Sequence, residues 1–435
     1  MPTLADHARA IFAAALAAAA VRAAVHRHLH ADAQTLTLAN ISTPLSQLDE
    51  LLIIALGKAA APMYQAAAQA IGKTLPHKAL IVSPSSHPNT PQATYLQGSH
   101  PTPTGDSLKA AEAVLTLLHT ATPRTAVLFL ISGGASAMVE QSLLRPSHDL
   151  SDIHRALVAS GVSITQMNTL RKHISSVKGG RLALAAAASA VQCTLLLSDV
   201  PSGQLSTIGS GPSLPDTSTL ADCRNILNTL PPRAKLRTLL DPLLLSGLTP
   251  ETPKPGHPAF ARSHSAVILS SDHLAHAAQQ AAESLGFHTA INNACDELDY
   301  SAAADFLLAQ SSALARQHPR SCLISVGELS VTLSAHPGQG GRNQQFALYA
   351  ATQLARRQQQ ATILSAGSDG IDGNSPAAGA LADATTAQRA TALGLNPAAA
   401  LAAFNTYPLF HALGDNITTG PTGNNLRDLR LILTA

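Results

Sequence analysis

Short apolar runs that each stop at a glycine-rich or charged loop constrain this chain more than any other feature. LLIIALGK ends at Lys58, AVLFLISGGASA at Ser132, Gly133 and Gly134, TLLLSDV at Asp199, and TILSAGSDGIDG at Asp369 and Asp372. GQGGRNQQ brings Gly338, Gly340 and Gly341 up to Arg342. Apolar runs of this length read as strands covered on both faces, and in an open α/β sheet ligands sit outside the carboxyl ends of such strands. Helical segments alternate with the runs, as in SLKAAEAVLTLLHTA and DHLAHAAQQAAESLG, which predicts parallel sheets wrapped by helices. Asp106 stands where a helix cap is expected.

At 435 residues the chain exceeds one ordinary core, and about two or three domains are expected. The proline-dense stretch 230–262 is the natural boundary. The predicted division is therefore 1–240, a linker at 241–262, and 263–435, with the last strand free to return to either part. Only 3% of residues are aromatic, so Ala, Leu, Val and Ile must do the packing. A net charge of +2 without blocks of one sign excludes an electrostatic footprint for nucleic acid or an anionic membrane. Cys193, Cys223, Cys295 and Cys322 form no CxxC pair, which fits a reducing compartment, and a cytoplasmic protein is expected. The Ala-rich run Ile11–Val21 is too short to span a membrane and follows Asp6 and His7 rather than a basic region. It reads as an amphipathic helix over residues 5–31.

Several motifs fail on inspection. LLIIALGKA is no P-loop, because Leu52 and Ala59 occupy the first-glycine and hydroxyl positions. Neither GQGGRN nor GSGPSL completes a dinucleotide fingerprint, and ISGGASA lacks the spacing of a nucleophile elbow. SDGIDGN places Ile371 and Gly373 where a calcium loop needs oxygen ligands. HRHLH puts only His26 and His30 on one helix face, short of a zinc site. What survives is a set of cations and glycine loops suited to phosphate: Lys58 between a strand and a helix, the Gly133-Gly134 turn, and the basic run LRKHISSVKGGR with Arg171, Lys172, His173, Lys178 and Arg181. Asp199, Asp369 and Asp372 are candidates for Mg²⁺ or for proton transfer.

The ordered series ALGKAA, SHPTPTGDS, LISGGASA, LRKHISSVKGGRLA, LLSDVP…GSGPSLPD, GQGGRNQQFAL, SAGSDGIDG and TGPTGNNLRDL resembles the glycerate 2-kinase family, whose members carry a MOFRL domain and some of which were labelled hydroxypyruvate reductases. The resemblance runs from about residue 5 to 433. It implies an α/β protein of two domains, each a mainly parallel sheet covered by helices, with the active site in the interdomain cleft. It implies transfer of the ATP γ-phosphoryl group to the 2-hydroxyl of D-glycerate, with ATP and Mg²⁺ as cofactors, in a monomer or homodimer. On this reading Lys58, Arg342 and Asp199 are catalytic. Ser132, Gly133, Gly134, Ser136, Lys178, Gly340 and Gly341 bind nucleotide or phosphate. Arg171, Lys172, His173 and Asn343 bind substrate, and Asp199, Asp369 and Asp372 bind metal. The chain departs from the family pattern at Ser202-Gly203-Gln204, where a Gly-Asp-Asp run is usual, and at Thr104, Ala135 and Asn424. Two other readings stand beside it: an NAD(P)H-dependent hydroxypyruvate reductase and a non-catalytic sensor of sugar acids.

Overall fold

The protein is described by a computed structural model covering residues 2–143, 150–198, 200, 205–244, 247, 249–333 and 336–435. The chain divides into two compact units, Val21–Ile268 and Met1–Ala20 with Leu269–Ala435.

The first unit is built on strands β1 (Glu50–Leu56), β2 (His77–Ser83), β3 (Ala93–Gln97), β4 (Thr125–Ile131), β5 (Val191–Leu197) and β6 (Ser263–Leu269). They lie in the order β3-β2-β1-β4-β5-β6. The pairs β3/β2, β2/β1, β1/β4 and β4/β5 are parallel. Every residue of β4 and β5 is buried, which explains why the sequence shows unbroken apolar runs rather than alternation. This is the doubly wound order, and the chain reverses its direction of travel across the sheet between β1 and β4. Their register pairs Leu56 with Ile131, so Gly57 and Ser132 leave the sheet side by side.

Residues 29–44, expected at the end of a long helix and beyond it, instead form a three-stranded antiparallel sheet of Leu29–Ala31, Thr35–Leu38 and Ile41–Pro44. The helix Gly105–Leu118 is capped by Thr104 with Ser107 answering it, while Asp106 sits in the first turn. Ser107 completes the capping box, and the capping role expected of Asp106 is taken by Thr104, two residues earlier.

The second unit holds β7 (His288–Ile291), β8 (Ser321–Gly327), β9 (Thr362–Gly367), β10 (Gly379–Asp383), β11 (Asn416–Ile417) and β12 (Asp428–Thr434), in the order β7-β8-β12-β9-β10-β11. Only β7/β8 is parallel; β8/β12, β12/β9, β9/β10 and β10/β11 are antiparallel. The α/β architecture is as expected, but the second sheet is mixed rather than mainly parallel. The strands β8 and β9 do run the same way, as a strand–helix–strand pattern requires, and β12 returns to insert antiparallel between them. An expected hairpin strand over 330–334 is absent among the described residues; Ser330 makes a single bridge to Asp299.

Two further differences concern the division of the chain. The helix Leu4–Ala18 belongs with the second unit, not the first. Its buried face, Ala8, Ile11, Phe12 and Ala15, packs on the helix Ser271–Ser284, whose own inner face includes Ala275, Ala278 and Ala282. Small side chains on both faces let the two helices approach closely. Asn424 Nδ2 donates to Ala19 O at 2.7 Å and holds the helix end in place. The expected linker 241–262 is also part of the first unit. Thr249 and Thr252 are buried, Pro250 O accepts from Arg181 Nη2 at 2.9 Å, and Thr252 Oγ1 donates to Asp216 at 2.9 Å. Prolines here shape a strap over the core rather than a hinge. No single helix among the described residues is long and apolar enough to cross a membrane.

Candidate functional site

At the carboxyl ends of β1 and β4 the backbone is tightly interlocked. Gly57 has φ +113°, and a Cβ there would lie 2.5 Å from Ser132 O. Only glycine fits such a position. Lys58 N donates to Gly133 O at 2.9 Å, and Ala59 N donates to Ser132 Oγ at 3.0 Å. Ser132 Oγ also donates to Leu56 O at 3.3 Å. Ser132, expected to bind phosphate, is therefore buried and spent as a clip between the two loops. Gly133 and Gly134 fit their expected place better. Their N–H groups have no acceptor among the described residues, and both line a cavity of about 470 Å³. Lys58 is exposed, its stem passes 3.3 Å from the Cβ position of Gly134, and no described residue pairs with its ammonium. A free cation beside open amides at the reversal point of a parallel sheet suits an anion.

The basic run separates into three fates. Arg171 faces the cavity, with Nη2 3.1 Å from His154 Nδ1. Lys172, buried, pairs with Asp216 at 3.1 Å, and His173, fully buried, lies 2.7 Å from Glu251. Burial works against the Glu251 carboxylate, but hydrogen bonds from Leu220, Lys254, His173 and Thr252 prevail and hold its pKa down at about 2. Lys178 is buried below the cavity, donating to Glu140 at 2.6 Å, to Ser136 O at 2.8 Å and to Val139 O at 3.3 Å. Burial pushes the Lys178 pKa down, against the pull of Glu140. Lys172, His173 and Lys178 thus position the walls instead of contacting a ligand. Each is turned inward to a carboxylate that the local sequence does not contain. Ser136 lines the cavity and its hydroxyl meets Ser210 Oγ at 2.9 Å. The Gly209-Ser210-Gly211 segment is pinned by Gly179 N to Ser210 O at 3.0 Å and Gly180 N to Gly211 O at 2.8 Å.

The second unit presents its own cavity of about 480 Å³, lined by Gly338, Gly340, Gly341, Arg342, Asp369, Asp372 and the apolar Val331, Leu333, Pro337, Ile371 and Phe404. Arg342 opens the helix Arg342–Arg357. Its guanidinium grips Asp428 through Nε at 2.6 Å and Nη2 at 3.1 Å, and Nη2 reaches Glu328 at 3.0 Å. Burial disfavours its charge, yet Asp428, Glu328 and Asp372 outweigh this and raise its pKa above the ordinary arginine value.

The start of that helix is not an open anion site. Asp372 fills it, accepting from Asn343 N at 3.0 Å, Asn343 Nδ2 at 3.2 Å, Gln344 N at 2.9 Å and Gln344 Nε2 at 3.0 Å. Burial raises its pKa to about 6 despite those donors. Asn343 is 1% exposed and holds Asp372 and Ser365, so it does not bind substrate. Gly340 and Gly341 are needed for close packing: a Cβ on Gly340 would lie 2.4 Å from Thr406 Oγ1, and one on Gly341 would lie 2.3 Å from Asp372. Gly340 N donates to Asn374 Oδ1 at 2.9 Å, so its amide is not available to phosphate.

For a metal, Asp372 is a poor ligand because its oxygens already serve four N–H donors. Asp369 is half-buried on the cavity wall, where Oδ1 accepts from Ile371 N at 3.0 Å. Asp199, and with it the Ser202-Gly203-Gln204 departure, lies outside the described residues. Among the described residues no three His, Cys, Asp or Glu side chains cluster to hold a metal ion. A nucleotide-borne Mg²⁺ needs only one or two carboxylates besides phosphate oxygens and water, and Asp369 meets that lesser demand.

Comparison with known proteins places the chain in a family. A family model described as a domain of unknown function (DUF4147) matches residues 7–242, and the MOFRL family model matches residues 321–428. The chain is 33% identical over 394 residues to the D-glycerate 2-kinase of Thermotoga maritima, covering 89% of this chain and 91% of that one. It belongs to the glycerate 2-kinase family. A crystal structure titled glycerate kinase from Thermotoga maritima matches with a TM-score of 0.83 at 30% identity, covering 99% of both chains. An Agrobacterium vitis relative, 35% identical over 88% of this chain and 86% of its own, bears a provisional hydroxypyruvate reductase name. Of the groups that shape the two cavities and their walls, sequence reading missed Glu140, Asp216 and Glu251 in the first unit and Glu328 and Asp428 in the second. Asp428 stands inside the quoted TGPTGNNLRDL motif, the one signal that could have drawn attention to it.

Proposed function

We propose that this protein transfers the γ-phosphoryl group of ATP to the 2-hydroxyl of D-glycerate, giving 2-phospho-D-glycerate and ADP. The observation that carries the reading is the pairing of Lys58 with the open amides of Gly133 and Gly134 at the reversal point of the first sheet, in a chain one-third identical to a D-glycerate 2-kinase. Such chemistry is mainly positioning and charge stabilisation. Lys58 and the two amides take the phosphate oxygens. Arg342, kept charged by Asp428 and Glu328, neutralises the phosphoryl group as it moves. The glycerate hydroxyl oxygen attacks phosphorus as the bond to the leaving ADP oxygen breaks, and its proton passes to a carboxylate, a role we assign to Asp199. Asp369 would hold Mg²⁺, which would supply further charge neutralisation to the phosphate groups. Four buried, unpaired cysteines agree with a cytoplasmic setting.

A nicotinamide-dependent reductase is disfavoured. The turn after β1 carries Gly57-Lys58 where a dinucleotide site needs three spaced glycines, and Gly209-Ser210-Gly211 is tied to Gly179-Gly180 rather than opening a helix after a strand. The test is incubation with Mg²⁺-ATP and D-glycerate, with the product resolved by ³¹P NMR. The 2-phosphate is expected. Only the 3-phosphate, or NAD(P)H consumption with hydroxypyruvate in its place, would overturn the assignment.

A further inference from the structure

Three arginines of the second unit meet around the start of β12, and they are not equivalent. Arg427 is spent on Asp296, to which its two terminal nitrogens donate at 2.6 and 2.7 Å. Asp296 also accepts Glu328 N at 2.9 Å. Arg430 is fully buried, donates through Nη2 to Gly327 O at 2.8 Å, and reaches Asp428 with the same nitrogen at 3.4 Å. Its Nε and Nη1 find no partner among the described residues. Of the three, Arg342 lines the cavity of about 480 Å³.

An arginine has five N–H groups to place. Asp428 takes the edge of Arg342 formed by Nε and Nη2, at 2.6 and 3.1 Å, and Glu328 lies 3.0 Å from Nη2. The two N–H groups of Nη1 have no partner among the described residues. Asp428 is 1% exposed and opens β12, where it pairs with Gly327 of β8 on one side and Gly367 of β9 on the other. A carboxylate anchored on both sides by the sheet, with Arg430 behind it, cannot follow a mobile guanidinium; the guanidinium follows the carboxylate. Nearby, Asp372 is occupied by the N–H donors of Asn343 and Gln344, and Asp369 accepts Ile371 N at 3.0 Å.

A fork held along one edge presents its remaining nitrogen as a fixed donor. We infer that Asp428 is a positioning residue for phosphoryl transfer. It fixes the Nε–Nη2 edge of Arg342, so that Nη1 is the nitrogen left to bond the moving phosphoryl group, and Arg430 steadies the Asp428 carboxylate from within the core. Glu328, half-buried and reaching the fork at Nη2, supports this orientation without fixing it. What Arg342 acts on rests on the proposed phosphoryl transfer; the hold of Asp428 on the fork does not. Asparagine at 428 would keep the shape but offer one acceptor and one N–H donor, so an Arg342 N–H would face another donor and the fork would turn.

Wild type, Asp428→Asn, Arg342→Ala and the double variant are assayed with Mg²⁺-ATP and D-glycerate, without and with guanidinium ion at non-denaturing concentration. Each is melted under the same conditions to establish folding. Asp428→Asn should lose at least roughly tenfold in kcat, with KM for both substrates within about twofold of wild type, because a contact used in the transition state is misaligned. Guanidinium should raise the activity of Arg342→Ala at least roughly tenfold, since Asp428 would hold the free ion by the same two charge-assisted bonds. Methylammonium, equal in charge but without a fork, should not, and the double variant should gain from neither ion. Wild-type kcat in a folded Asp428→Asn, or equal rescue with and without Asp428, would overturn the inference. Should Asp428→Asn fail to fold, the two ions on Arg342→Ala decide, and equal rescue by methylammonium overturns it. The Nε–H proton of Arg342, identified in ¹H–¹⁵N spectra by its absence in Arg342→Ala, should exchange slowly in wild type, and fast exchange there would refute the hold itself. If that proton is protected in a wild type that transfers no phosphoryl group, the hold of Asp428 stands and the proposed activity falls.

Discussion

Replacing Gly57 by alanine tests the interlock that sets the phosphate loop. The added methyl would sit 2.5 Å from both Ser132 O and Ser132 Oγ and 2.8 Å from Gly133 O, at φ +113°. A side chain held in that backbone region costs about 1–3 kcal/mol, and crowding against backbone oxygens that cannot rotate away adds about 1–3 kcal/mol. The total, about 2–6 kcal/mol, is met either by unfolding more easily or by pushing the Gly133 loop away from Lys58, whose N–H is bonded to it. Gly72→Ala is the control. Its φ is +58°, a Cβ there meets nothing within 4 Å, and the penalty is the left-handed backbone alone, about 1–2 kcal/mol. Calorimetry should show a Tm lower by about 4 °C or more in Gly57→Ala, with reduced kcat at temperatures where it is folded. Gly72→Ala should shift Tm less and keep its kcat. A Gly57→Ala protein as stable and active as Gly72→Ala would refute the argument.

Three other outcomes follow from the packing. Asp372 has its pKa raised from 3.8 to about 6 by burial, so the folded state holds its proton more tightly than the unfolded state does. That contribution is complete below pH 3.8 and is lost as pH rises through 6, so wild type should lose about 3 kcal/mol relative to Asp372→Asn between pH 3.5 and 7. Lys178→Met leaves Glu140 buried without its cation and should cost about 3–5 kcal/mol in a denaturant titration, most of it recovered by adding Glu140→Gln. Burial pushes the thiols of Cys193, Cys223 and Cys322 up to about 12, so none should react with an aromatic disulfide reagent at pH 8 until the protein is unfolded.

What the sequence made legible was whatever a single run of residues decides. The strands β1, β4 and β5 could be read because burial on both faces demands uninterrupted apolar residues, and the turns after them because Gly57, Gly133 and Gly134 interrupt those runs. The basic run could not be resolved in the same way. Arg171, Lys172 and His173 are consecutive on a helix, about 100° apart, so one of them can face a cavity while its neighbours turn into the core. Which one does so depends on Asp216 and Glu251, far along the chain. The same holds for Asp372. Its spacing in SDGIDGN suggested a metal ligand, but it caps a helix whose start comes earlier in the chain, at Gly341 and Arg342. Insertion of β12 between β8 and β9, and return of the first helix to the second unit, are likewise set by partners distant along the chain.

In the proposed reaction Lys58 and Arg342 serve the same phosphoryl transfer. Groups acting as one device are not additive. The decisive measurement is kcat with Mg²⁺-ATP and D-glycerate for Lys58→Ala, Arg342→Ala and the double variant, each checked for folding by calorimetry. Each single change should cost ~10³-fold or more, and the double variant should be scarcely slower than either. Wild-type turnover in either single variant, or losses that multiply in the double one, would contradict a shared role.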